Sequence, residues 1–137
     1  MQTFPINYLA LLVATIAKGV IGWLWYSPLL FLKPWMQLTG TTPEIAKQTN
    51  MALGIGLETV GNFVMAFVLV HATHYAGAHG VAQGAAVGFF NWLGFIFVVM
   101  LPSVTYDRRP LKLVLIHTSY QLVGLLVMGA IVATWGG

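Results

Sequence analysis

In 137 residues the chain carries 58% hydrophobic and only 7% charged side chains, with a mean hydropathy of +0.83. That leaves too little polar surface to coat a soluble globule of this size, so the chain belongs in lipid. A net charge of +3, from six Lys and Arg against three acids, is too small for the basic face of a nucleic-acid binder, and the absence of cysteine excludes disulfides, thiolate metal sites and redox cysteine pairs.

A transmembrane helix needs about 20 mainly apolar residues, and the sequence offers a series of such stretches. The first covers 6–25. No basic residue precedes it and no small-residue cleavage site precedes WLWYSP, so it reads as a retained span rather than a signal peptide. Pro28 and Pro34 end it. The segment 28–42, which contains LLFLKPWMQL, mixes apolar and aromatic residues with one lysine, as a segment lying in the headgroup region does. Thr42, Pro43 and Glu44 have the pattern of a helix start, and one helix is expected to run from there through IAKQTN into the second span, 51–73. The third span is 81–102, closed by Pro102, and the fourth is 110–135, with Pro110 suited to its first turn. The expected fold is all-α: an integral membrane four-helix bundle forming a single domain over 1–137.

Loop charge predicts the orientation. Lys33 and Lys47 lie between spans one and two, and Arg108, Arg109 and Lys112 lie at the turn between spans three and four, while the second loop and both ends carry no Lys or Arg. Both basic loops should face the cytoplasm and both termini the outside. Tyr8, Tyr75 and Trp135 then mark the outer interface, and Trp25, Tyr26, Trp35 and Tyr106 the inner one.

Polar residues inside the spans fall into layers. Counted inward from Trp25, Met51 and Pro110, the titratable groups Lys18, Glu58 and His117 lie at one depth, about 10 Å at the helical rise. Asn62 and Gln121 lie one turn deeper on the faces of Glu58 and His117, and Asn91 lies near the middle of span three. A charge near the bilayer centre costs about 3 kcal/mol on insertion scales, so these side chains should face inward. The simplest arrangement is a Lys18–Glu58 salt bridge with His117 as third partner. Such a layer can merely fix helix register, as buried polar groups do in coiled coils, or it can relay protons or ions.

Gly80, Gly84 and Gly88 form two overlapping GxxxG motifs, Gly54 and Gly61 flank Glu58, and Gly124 follows Gln121; close helix contact is their expected use, within the bundle or between subunits. His71 and His74 have the HxxH spacing of a helical metal pair, but no acid lies near to orient them, so they read as interfacial histidines and no metal or cofactor is expected. Phosphate-cradling loops, paired acids and an activated nucleophile are all missing, which argues against an enzyme.

The stretch INYLALLVATIAKGVIGWLWYSPLLFLKPWM, with WLGFIFVVMLP and DRRPLKLVLIHTSYQLVGLLVMGAI, resembles the small bacterial membrane family called domain of unknown function 1761. The pieces that carry the likeness are Asn7 and Tyr8, then Trp25 to Pro28, Arg109 and Pro110, and Tyr120. The resemblance implies a multi-pass protein of the bacterial cytoplasmic membrane and carries no activity. Lys18 and His117 depart from the family pattern. Two functional expectations follow. One is a structural or interaction protein, a homo-oligomer or an accessory subunit with another membrane protein as partner. The other is a small proton- or cation-coupled transporter or channel that uses Glu58.

Overall fold

The computed structural model describes residues 3–136. Helix α1 (Tyr8–Trp25) starts where the Asn7 side chain accepts the Leu9 N–H at 3.1 Å. After a proline turn come two short helices, α2 (Leu32–Thr39) and α3 (Pro43–Gln48). Gly40 ends α2 in the left-handed conformation (φ 70°), which lets its N–H and that of Thr41 both return to the Met36 carbonyl. Thr42 caps α3 as its sequence indicates, accepting the Ile45 N–H at 3.2 Å.

The helix does not run on into the second span. Thr49 and Asn50 are extended, and the Asn50 side chain opens α4 (Met51–Tyr75) by accepting the Leu53 N–H at 3.0 Å. The asparagine of IAKQTN is therefore a cap, the use for which its short carbonyl suits it best.

The third apolar stretch contains α5 (Gly80–Trp92), a π-helical turn at Leu93–Phe97, α6 (Val98–Met100) and α7 (Pro102–Tyr106). Pro102 does not close the span. It stands in the first turn of α7, where the missing N–H costs least, and helix continues to Tyr106. The last helix is α8 (Leu111–Trp135). Four helical stretches, Tyr8–Trp25, Met51–Tyr75, Gly80–Tyr106 and Leu111–Trp135, are long and apolar enough to cross a membrane. Among the described residues there is no strand.

Helix α8 is the hub, touching α1, α4 and α5. The core joins Leu11 and Ala14 of α1, Ala66, Leu69 and Val70 of α4, and Leu125, Met128 and Val132 of α8. At that end the Asn7 backbone N–H reaches the Gly136 carbonyl at 3.0 Å and its side-chain amide the Trp135 carbonyl at 3.3 Å, so the start of α1 satisfies the last carbonyls of α8. Two indoles fix the register nearer the other end: Trp25 donates to the Ile116 carbonyl at 3.1 Å and Trp92 to the Thr118 carbonyl at 2.7 Å.

The α5–α8 contact is backbone on backbone. A methyl group on Gly84 would collide with the Gly129 carbonyl and Ala133, and one on Gly88 with the Leu125 carbonyl. Gly80 takes no part in that contact; it begins α5 at φ 83°, with open space around it. Gly54 and Gly61 likewise face open space instead of a neighbouring helix, because α4 stands away from the bundle over residues 51–61, every one of which is exposed. From Asn62 onward α4 packs.

Candidate functional site

The polar residues of the spans meet where α4 begins to leave the bundle. Lys18, on the inner face of α1, is 1% exposed. Its stem lies against Gly124 of α8, where any β-carbon would fall 2.9 Å from Lys18 Cε, so glycine at that position is what seats the lysine. The ammonium donates to Asn62 Oδ1 at 2.9 Å and to the Tyr120 hydroxyl at 3.1 Å, and it stands 4.4 Å from the centre of the Tyr120 ring.

Tyr120 in turn donates to Glu58 Oε1 at 2.6 Å. The direct Lys18–Glu58 separation is 3.8 Å. The expected ion pair is present, then, but its shorter link runs through a phenol: ammonium to hydroxyl, hydroxyl to carboxylate. Gly22 makes room for that hydroxyl, since a β-carbon there would stand 2.7 Å from it.

Other expectations are corrected by the packing. His117 is not the third partner of the pair; its Nδ1 lies 2.6 Å from the hydroxyl of Tyr26, one residue past the end of α1. Tyr120, about one turn further along α8, occupies the level of Lys18 instead, so counting from Pro110 misplaces α8 by roughly a turn. Glu58 is not buried. Its side chain is 48% exposed, because the half of α4 that carries it stands off from α1 and α8 and reaches them here through the Glu58 carboxylate. Asn91 lies outside the cluster and donates to the Val87 carbonyl of its own helix at 2.8 Å. Asn62 is in the cluster, and Gln121 borders it.

Two hollows flank Glu58. The larger, about 830 Å³, is a cleft between α1, α4 and α8 that runs from Trp35 and Asn50 inward to His117, Tyr120 and Gln121. The smaller, about 410 Å³, lies on the α4 flank beside Lys18, Leu57, Asn62, Met65 and Gln121. Glu58, Gly54 and Gln121 border both. Two buried amide atoms here have no hydrogen-bond partner, the Asn62 Nδ2 donor and the Gln121 Oε1 acceptor. Unsatisfied groups of this kind are costly in a low-dielectric interior, and each calls for a polar atom to meet it. At the cleft mouth Tyr26 packs edge-to-face on Trp35, with ring centres 6.2 Å apart. Burial, and after it the Glu58 carboxylate, raises the Tyr26 phenol well above its ordinary value, so the hydroxyl stays protonated at any physiological pH.

Sequence reasoning named Tyr26 only as an interface marker and Tyr120 only in the family likeness, and missed the part both play in the site. Tyr120 carried a signal: a tyrosine in mid-span, away from both aromatic belts, needs a polar partner for its hydroxyl. His71 and His74 belong to a different cluster at the opposite end of the bundle. Phe4 stacks on His74 with ring centres 3.7 Å apart and meets His71 edge-on at 5.2 Å, and His71 Nδ1 is 2.7 Å from the Phe67 carbonyl. Among the described residues no three His, Cys, Asp or Glu side chains converge as metal ligands would.

The sequence model of the family described as "Protein of unknown function (DUF1761)" matches residues 9–133, nearly the whole chain, and the chain belongs to that family. No curated protein and no solved structure matches it.

Proposed function

We propose that this DUF1761 protein is a small membrane transporter or channel that binds a proton or cation at Glu58. One observation carries the reading: Glu58 is held at Oε1 by Tyr120, yet about half its side-chain surface is exposed and it borders an 830 Å³ cleft. A polar group retained only to set helix register is sealed against its partners, as Lys18 and Asn62 are. A carboxylate left accessible within a membrane span is instead placed to take up and release a charge. Lys18 and Tyr120 hold it on one side while the cleft admits an ion on the other. Under the positive-inside rule the cleft opens toward the cytoplasm, at the end that carries Lys47 and Arg109. The test is proton and cation flux into liposomes containing the purified protein, with Glu58→Gln beside the wild type. Flux that vanishes in the variant while its oligomeric state in detergent is unchanged is the expected result.

A second reading, a structural or interaction subunit, draws on the bareness of residues 51–61, which are apolar on most faces and carry Gly54, Gly56 and Gly61 in open space. A second copy or an accessory partner would cover that half of α4. This reading predicts that Leu57→Glu dissolves an oligomer and that flux is absent from the wild type as well.

A further inference from the structure

Resting on the reading that Glu58 is the charge-binding group, we infer that the α1–α4–α8 cleft takes a protonated lipophilic amine, its ammonium between Glu58 and Gln121 and its apolar body along the cleft walls. Size is the first argument. A cleft of about 830 Å³ falls within the 300–1,000 Å³ range of small-molecule sites and is far larger than a proton or a dehydrated metal ion requires.

The donor set is the second. Hard metal cations take six or more oxygen ligands, whereas among the described residues the cleft offers a single carboxylate, Glu58, beside neutral side-chain oxygens such as those of Tyr26, Thr59, Tyr120 and Gln121. An ammonium needs fewer acceptors, and the right ones are here. Glu58 is engaged only through Oε1, and Gln121 Oε1 is buried without a donor. An N–H of the ligand would supply that missing donor.

Charge placement is the third. Lys18 borders only the smaller cavity, but its ammonium stands 3.8 Å from Glu58 Oε1, so a cationic ligand must approach the other carboxylate oxygen, Oε2, from the cleft side. Among the described residues Glu58 is the one carboxylate lining the cleft, and no Lys or Arg lines it. The walls fit the rest of such a molecule: Ile16, Val20 and Ile55 are apolar, and Trp23, Tyr26 and Trp35 offer aromatic faces for the body or the charge.

The test is calorimetric titration of the detergent-purified full chain with 4-phenylbutylamine and, in parallel, 4-phenylbutanol, which has the same body and a neutral head. The amine should bind saturably and the alcohol should not. Glu58→Gln should weaken the amine about tenfold and Gln121→Leu about fivefold. Gly54→Leu should weaken amine binding by narrowing the cleft one turn from Glu58 while leaving the carboxylate in place, and because a β-carbon at Gly54 meets nothing, the variant should stay folded, which its melting temperature checks. Equal binding of amine and alcohol, or amine affinity unchanged in folded Glu58→Gln and Gly54→Leu, overturns the inference. If Glu58-dependent proton flux survives that outcome, only the ligand class falls; if flux is also independent of Glu58, the underlying reading falls with it.

Discussion

Helix α8 makes two glycine-dependent contacts on opposite faces, and they use glycine differently. Against α5, Gly84, Gly88 and Gly129 let backbone meet backbone, and the seam they close is apolar. Against α1, Gly22 and Gly124 let backbone meet a polar side chain, the Tyr120 hydroxyl and the Lys18 stem. The first seam holds the bundle together. The second builds a site, and it does so by leaving space that charged and hydroxyl groups fill. In lipid, where apolar burial gives no drive for association, close approach of this kind supplies much of the packing.

The comparison can be broken most severely on the α5 side. Gly84→Leu places a side chain against the Gly129 carbonyl, which cannot move without shifting α8, and should cost about 3 kcal/mol or more, read as lowered unfolding free energy in mixed micelles. On the polar side, Lys18→Met keeps the stem but leaves Asn62 Oδ1 and the Tyr120 hydroxyl without their donor. A loss of about 2 kcal/mol is expected in the same assay, with Glu58→Gln costing less because Glu58 is half exposed. Combining the two substitutions should cost less than their sum, a direct measure of the pair.

Smaller changes sharpen the contrast. Tyr120→Phe deletes the hydroxyl that links ammonium to carboxylate and should cost about 1 kcal/mol in stability while reducing any Glu58-dependent flux far more. Gly54→Ala meets open space and should raise stability by about 0.5 kcal/mol through helix propensity alone. If Gly54→Ala proved as damaging as Gly84→Leu, a partner would have to lie against the exposed half of α4.

The legible parts of the site are those that depend on position along a helix. Lys18 and Glu58 could be paired by counting residues from the span ends, and their atoms lie 3.8 Å apart. The same counting failed for His117, because depth depends on where a helix begins relative to its neighbours, and α8 is shifted by about a turn. It also could not tell Gly84, pressed on a carbonyl, from Gly54, facing nothing.

Composition and hydropathy by themselves determined that this chain contains four apolar helical stretches long enough to span a membrane, since each span is a local property of about 20 consecutive residues. Rotation and separation of those helices belong to the tertiary structure alone. They decided that Tyr120, rather than His117, joins Lys18 to Glu58, and that Glu58 borders a cleft instead of a closed seam. The physical reason is that the period of a helix tells which residues share a face, whereas which face meets which neighbour, and how closely, depends on side-chain volumes and hydrogen bonds contributed by three helices at once.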